Sequence, residues 1–465
     1  MNTPLTRRAR HLLLLGALTM LACGEAENRD VVTTILTLPP SGHAFEPTLA
    51  IDPADPDHMV AAAMRDIPPS GPGTGIWVWR STDGGRTWAD GALQTPRFPG
   101  VEGLQNFGAD AVVYFGADGT ALLASMSQVG TRMGTFVSRV SAAPEVATSI
   151  AVLANSQDSL TGHTSLYDKP WMTVDLRADS PRRGTVFLSS AELLMYELPA
   201  KLGDPWKGPL ISRIYLATSR DDGRTFSAPV LVSDSAFAAQ LAVTRGGALE
   251  VTYARLVNKQ GSGDAVFHRR STDGGATFGS ADTVTIVAAD TLLGHPVLAT
   301  RPNGDLLSCW SQGVRADERT NQARCATRPA GGSWSRPTAV DTTLPPEVSE
   351  AWPAVVGTER GWYLTQYVVG TSRTDVVLYR SDDGASFERV ALLASSEGLG
   401  TDRFCLHGAS PCRRTRTDGF AIGDYVTLAA GGGRLAAAYI LPRRAGARPD
   451  SASVYVSILP EPPAR

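Results

Sequence analysis

The sequence predicts an all-β chain folded as a β-propeller of four-stranded antiparallel blades, and three observations carry that expectation. A short turn-forming stretch recurs down the chain. A strand–turn–strand unit recurs seven times. The composition, with 46 Gly and 31 Pro in 465 residues and no long helical periodicity, is that of many short strands joined by tight turns. A span of about 430 residues exceeds most single cores, but repeat architectures add units that each bring a local one.

Residues 1–22 read as an export signal rather than as structure, with Arg7, Arg8 and Arg10 as the basic region and 12–18 as an apolar core too short to span a bilayer. Met20-Leu21-Ala22-Cys23 resembles a bacterial lipobox, which implies lipidation at Cys23 and a polar tether over 23–30; Met20 stands where such boxes usually have Leu. The alternative is an ordinary signal peptide that ends near a cysteine. Removing the signal takes three Arg from 43 basic residues and no acid from 46, so the remaining chain carries a net −6, a balance that argues against a nucleic-acid partner. The expected partners are a membrane, through the N-terminal lipid, and a glycan or protein ligand.

From 31 to 460 the chain reads as one repeat domain. Its seven strand–turn–strand units are 46–50 with 59–64, 110–114 with 121–126, 170–174 with 185–189, 240–243 with 249–254, 296–299 with 305–310, 353–356 with 362–367, and 425–429 with 435–440. The last unit has 453–459 but lacks an outer strand, and 31–38 is placed to supply it, closing the ring with both ends of the chain. Seven blades are expected; six blades with an accessory hairpin is the alternative.

The turn-forming stretch is Ser-x-Asp-x-Gly-x-Thr-aromatic. It occurs at Ser81 to Trp88, Ser219 to Phe226 and Ser271 to Phe278; worn copies keep Asp382, Gly384, Ser386 and Phe387, and Gly331, Ser333 and Trp334. Asp and Ser oxygens can accept backbone N–H groups, Gly supplies a positive φ, and the Thr-aromatic end opens the next strand with a large apolar surface. The pattern resembles the Asp-box, or BNR repeat, of the sialidase superfamily. That resemblance implies a propeller whose Asp-box turns lie on one side and whose ligand lies on the other. It also places the paired carboxylates Asp221-Asp222 and Asp382-Asp383 away from any catalytic face.

If Cys23 carries lipid, four cysteines remain. A hairpin centred near 317 sets Cys309 opposite Cys325, while Cys405 and Cys412 bracket a small loop, so these two disulfides are the preferred pairing among three connectivities.

The ligand side should be built by 65–75, 95–107, 155–169, 191–210, 314–321 and 395–423. Sialidases use three arginines for the substrate carboxylate, a Tyr nucleophile activated by Glu, and an Asp acid/base. By resemblance, Tyr425 stands at the nucleophile, Asp66 in Arg65-Asp66 at the acid/base, and Arg255 at the second arginine. The first arginine is replaced by Glu46, the activating Glu by the stretch Ala239-Gln240-Leu241, and the third arginine is matched at best by Arg319. Arg413, Arg414 and Arg416 form the densest positive cluster, suited to an acidic group. The seven histidines show no metal-ligand spacing, although His163 and His295 fall where they can face the channel, and no metal or other cofactor is expected. The expected function is a lipid-anchored propeller at the cell surface that binds a glycan or protein ligand. An exo-acting sialidase-type glycoside hydrolase and a structural envelope propeller are the alternatives.

Overall fold

The computed structural model describes residues 30–36, 38, 43–66, 75–93, 105–129, 132–140, 147–154, 164–195, 211–256, 263–288, 290–314, 321–397, 423, 425–442 and 452–463. Cys23, Arg319, Cys405, Cys412, Arg413, Arg414 and Arg416 lie outside them, as does His163. Strand β1 (Val32–Leu36) is followed by blade 1, made of β2 (His43–Ile51), β3 (Met59–Asp66), β4 (Gly75–Ser81) and β5 (Ala89–Ala92). Blade 2 is β6 (Gln105–Phe115), β7 (Ala121–Val129), β8 (Arg132–Val140) and β9 (Ala147–Ala154). Blade 3 is β10 (Thr164–Val174), β11 (Val186–Met195), β12 (Ile211–Ser219) and β13 (Val230–Asp234). Blade 4 is β14 (Ala236–Val243), β15 (Leu249–Leu256), β16 (Gly263–Ser271) and β17 (Asp282–Ile286). The short β18 (Thr291–Leu293) pairs with both β16 and the second strand of blade 5, joining the two sheets. Blade 5 is β19 (Val297–Thr300), β20 (Leu306–Val314), β21 (Asn321–Arg328) and β22 (Thr338–Ala339). Blade 6 is β23 (Ser349–Gly357), β24 (Trp362–Val369), β25 (Arg373–Ser381) and β26 (Glu388–Glu397).

Blade 7 contains β27 (Thr427–Gly431), β28 (Arg434–Pro442) and β29 (Ala452–Pro460), and its fourth strand is β1, from Val32↔Ile458 to Leu36↔Val454. The expected closure by 31–38 is therefore present. Thr33 Oγ1 and Ser457 Oγ, 2.7 Å apart, add a side-chain bond to that seam. The first strands β2, β6, β10, β14, β19, β23 and β27 contact one another in turn around a central channel, and β27 returns to β2. Seven blades are the architecture.

The Asp-boxes explain how each blade meets the one before it. In the first, the Gly85 N–H donates to Ser81 Oγ (2.8 Å), while the Thr87 N–H and hydroxyl donate to the two oxygens of Asp83 (2.9 and 2.6 Å). The same bonds recur at Ser219, Asp221 and Thr225 and at Ser271, Asp273 and Thr277. The worn copy at 380–387 departs from its expected register: Asp383, not Asp382, accepts the N–H groups of Ala385 and Ser386, and Ser381 is the capping serine. One residue is missing between Asp and Gly, and the turn closes by using the next carboxylate. Asp382 pairs instead with buried Arg380 at 2.6 Å.

Each box aromatic lies in the apolar cluster that joins its own blade to the preceding one. Trp88 packs between blades 7 and 1, Phe226 between 2 and 3, Phe278 between 3 and 4, Trp334 between 4 and 5, and Phe387 between 5 and 6. Arginines of the preceding blade also reach box carbonyls, Arg182 to Thr272 O (3.1 Å), Arg301 to Asp382 O (3.1 Å) and Arg139 to Asp222 O. The motif is thus an inter-blade rivet on the face opposite the loops that join the second and third strands of each blade.

Within blade 5, Cys309 and Cys325 stand opposite each other in the β20–β21 register and are disulfide-bonded, 4.1 Å between Cα atoms, both fully buried. A 16-residue separation gives this bond a stabilisation of about 3 kcal/mol by loop-closure entropy. Two expected ligand-side loops are shorter than the sequence suggests, because β10 begins at Thr164 and β11 runs to Met195. The two strands stay in register from Thr164↔Met195 to Asp168↔Ala191, and Leu166 and Leu193 on this extension are buried with Met126 and Met133 of blade 2. Among the described residues no helix is long and apolar enough to cross a membrane.

Candidate functional site at the channel mouth

The inner strands carry a feature that repeats in five blades. Pairing with the second strand breaks after Phe45, Ala109, Asp168, Phe237 and Ala351, and resumes three residues later. The residue just after each break is a non-glycine with positive φ: Glu46 (50°), Asp110 (52°), Lys169 (48°), Ala238 (53°) and Trp352 (48°). L-residues adopt this conformation at a cost of order 1 kcal/mol or more, and bulges of this kind re-aim side chains. In blades 5 and 7 the strands start at Val297 and Thr427, so the same register position falls on His295 and Tyr425. Seven equivalent positions therefore ring the end of the channel opposite the Asp-box turns.

Three of them meet. The Lys169 ammonium lies 3.6 Å from Asp110 Oδ2 and 4.4 Å from the centre of the Tyr425 ring. Blades 3 and 7 are not neighbours, so the contact between Lys169 and Tyr425 crosses the channel. Asp168, one residue before the bulge, accepts the Lys169 N–H at 2.8 Å, and its carbonyl accepts the hydroxyl of buried Ser190 (3.0 Å), itself reached by Thr135 (3.0 Å). Burial first, and then the hydrogen-bonded carboxyl of Asp110, push the Asp168 carboxyl well above the ordinary carboxylate range, against the pull of Lys169. Two carboxyls, an ammonium and a phenol are thereby held together by backbone strain and by a buried hydroxyl chain.

Glu46 borders this cluster. A side chain at Gly423, whose φ is +83°, would place a Cβ 2.2 Å from Glu46 Cγ, so only glycine lets the entry to blade 7 pass so close. Thr427 Oγ1 donates to Pro47 O (2.9 Å), seating Tyr425 next to blade 1. On the other side Trp352 meets Tyr367 edge-on at 5.9 Å, and His295 meets Phe237 at 5.5 Å.

Arg65 and Arg255 go elsewhere. Arg65 turns outward, its guanidinium 5.0 Å from the Trp77 ring on the third strand of blade 1. Asp66 ends β3 with its backbone opposite His43. Arg255 makes a two-pronged pair with Asp264, 2.7 and 2.8 Å, and covers Phe267 at 5.4 Å; it lines a groove between blades 3 and 4. Of the sialidase-like set, Tyr425 and Glu46 join the mouth and Arg255 does not. Asp110, Asp168 and Lys169 were not singled out from the sequence, although aligning the seven inner strands column by column brings Glu46, Asp110, Lys169 and Tyr425 into one register. No group of His, Cys, Asp or Glu suited to a metal ion occurs among the described residues.

The family model for the BNR repeat-like domain matches residues 183–429, more than half of the chain. No curated protein sequence matches it. Among solved structures, a protein of unknown function from Dyadobacter fermentans is similar at 13% identity and a TM-score of 0.52, with 93% of this chain and 98% of that chain covered. A PL25 polysaccharide lyase, an ulvan lyase, is similar at 10% identity and 0.53, covering 92% and 96%. A Hadza microbial sialidase is similar at 14% and 0.45, covering 83% and 76%. Seven closed blades, Asp-boxes riveting five of their junctions and a family match over this length lead to one assignment: the chain belongs to the BNR repeat-like family and is a sialidase-type β-propeller.

Proposed function

We propose that this protein is a lipid-anchored propeller, exported through residues 1–22 and tethered by Cys23, that binds a glycan at the mouth of its channel. The observation that carries the reading is the Lys169 contact across the channel, which gathers Asp110, Asp168 and the Tyr425 ring from blades 2, 3 and 7. Carboxyl acceptors, an ammonium donor and aromatic faces are the groups that hold a hydroxyl-rich ring. The lyase neighbour acts on a polysaccharide, and at 10% identity it lends this chain its fold alone.

Sialidase chemistry is disfavoured by the residues that stand at the sialidase positions. Glu46 occupies the place of the first arginine, Arg255 is committed to Asp264, and Ala239-Gln240-Leu241 offers no carboxylate to activate Tyr425. A glycan array probed with wild type and Lys169→Met tests the proposal: specific signals in the wild type that vanish in the variant are expected. An array without signals, or signals that survive the substitution, would overturn it. A fluorogenic sialoside should remain intact. Turnover that disappears in Tyr425→Phe would instead establish the glycoside hydrolase reading.

A further inference from the structure

A second concavity lies away from the channel, in the cleft between the outer strand of blade 3 and the second and third strands of blade 4. Its volume is about 190 Å³. The walls are the ring of Phe267, the phenol-bearing Tyr253, the hydroxyl-bearing Ser233 and Ser235, and the guanidinium of Arg269, with exposed Ala281 at the rim. Ser235 holds a non-glycine φ of +56° where the chain passes from blade 3 to blade 4, so the edge of the cleft is built on strained backbone.

The charges lining it do not cancel. Arg255 is matched by Asp264, and Asp234 by Arg213 at 3.1 Å. Arg269 has no carboxylate partner among the described residues. Its Nη1 donates to Val232 O at 2.6 Å, and its Nε is buried without a hydrogen-bond partner. With Nη1 turned to the backbone of blade 3 and Nε covered by protein, Nη2 is the nitrogen left to donate a charge-assisted hydrogen bond to a carboxylate in the cleft.

We propose that this cleft is a second ligand site, one that takes a small hydroxylated carboxylate the size of a single uronic acid. The carboxylate accepts from Nη2 of Arg269, ring hydroxyls face Ser233, Ser235 and the Tyr253 phenol, and the apolar face of the ring rests on Phe267. The site is independent of the channel mouth: no residue is shared, and its preference for an anion differs from the acid-rich chemistry there.

The test is calorimetric titration of the purified protein with D-glucuronate, with D-glucose as the neutral twin. Glucuronate should bind and glucose should not. Arg269→Gln should weaken glucuronate at least tenfold, and Ala281→Phe, which fills the cleft from an exposed position and leaves every ion pair in place, should do the same. Thermal melts of both variants distinguish lost binding from lost folding, and Lys169→Met should leave glucuronate affinity unchanged. Equal binding of the two sugars, no binding of glucuronate, or full affinity in a folded Ala281→Phe variant would overturn the proposal. Loss confined to Lys169→Met would move the carboxylate to the channel mouth and overturn it too.

Discussion

At the scale of single residues, the chemistry of the mouth depends on a carboxyl held against its ordinary ionisation. Burial and the neighbouring Asp110 raise the Asp168 pKa in the folded state above its unfolded value, so the folded protein retains that proton more strongly. The linked stability is fully present below the unfolded pKa of about 3.9 and is lost as pH rises through the folded one. Asp168→Asn removes the ionisation while keeping a polar group beside Asp110. Urea melts should therefore show the variant gaining on the wild type between pH 4 and pH 8; a gap that stays constant across this range would mean Asp168 ionises as an ordinary surface carboxylate. The sequence did not reveal this pair. Asp168 and Asp110 lie 58 positions apart, and what joins them is a positive φ in two bulges, a conformation that neither residue type announces. Tyr425 was legible because it opens an inner strand, and its ring partner Lys169 was not, because the contact spans the channel.

At the scale of elements, the Asp-box is a rivet whose strength depends on an ionised carboxylate. The Thr277 hydroxyl and N–H hold Asp273 at about 2; at Asp221 partial burial opposes ionisation, and bonds from Thr225 and Ser219 outweigh it, again to about 2. Thr87 holds Asp83 lower still. These depressed values contribute stability above the unfolded pKa that is lost as pH falls through the folded one, so acid should loosen several blade junctions together between about pH 4 and pH 2. Asp221→Ala should cost about 1–2 kcal/mol at pH 7 by denaturant unfolding and should flatten the acid transition, since the boxes are exposed and screened. An unchanged midpoint would show that the aromatic Phe226 alone fastens the turn. Box positions were readable because Ser, Asp, Gly and Thr each have a backbone task at fixed spacing. The worn copy misled by one residue because two adjacent aspartates, Asp382 and Asp383, both fit the pattern on paper and only the missing spacer decides between them. The Cys309–Cys325 pairing was readable for a similar reason, since hairpin register follows from strand length once the turn is located.

At the scale of the whole molecule, a ring of seven blades is only as stable as its closure. The seam is β1 on β29, with half-exposed Val32 and Ile35 outside and buried Leu36 inside. Deleting 31–38 would strip the fourth strand from blade 7 and leave the β29 edge unpaired. The shortened protein should melt at lower temperature and associate, as light scattering would detect; a monomer with the wild-type melting temperature would show that the ring does not need this strand. Blade number and closure were legible from repeat counting, because each blade must bury its faces against two neighbours and cannot stop short of a ring. What the ring holds at its mouth was less so, since seven strands from distant parts of the chain each contribute one residue. The most direct measurement is calorimetric titration of an array-selected oligosaccharide into wild type, Lys169→Met and Tyr425→Phe. Binding at the mouth predicts at least a tenfold loss in Lys169→Met and near-wild-type affinity in Tyr425→Phe, whose ring is retained. Equal affinity in wild type and a folded Lys169→Met variant would contradict the channel mouth as the ligand site.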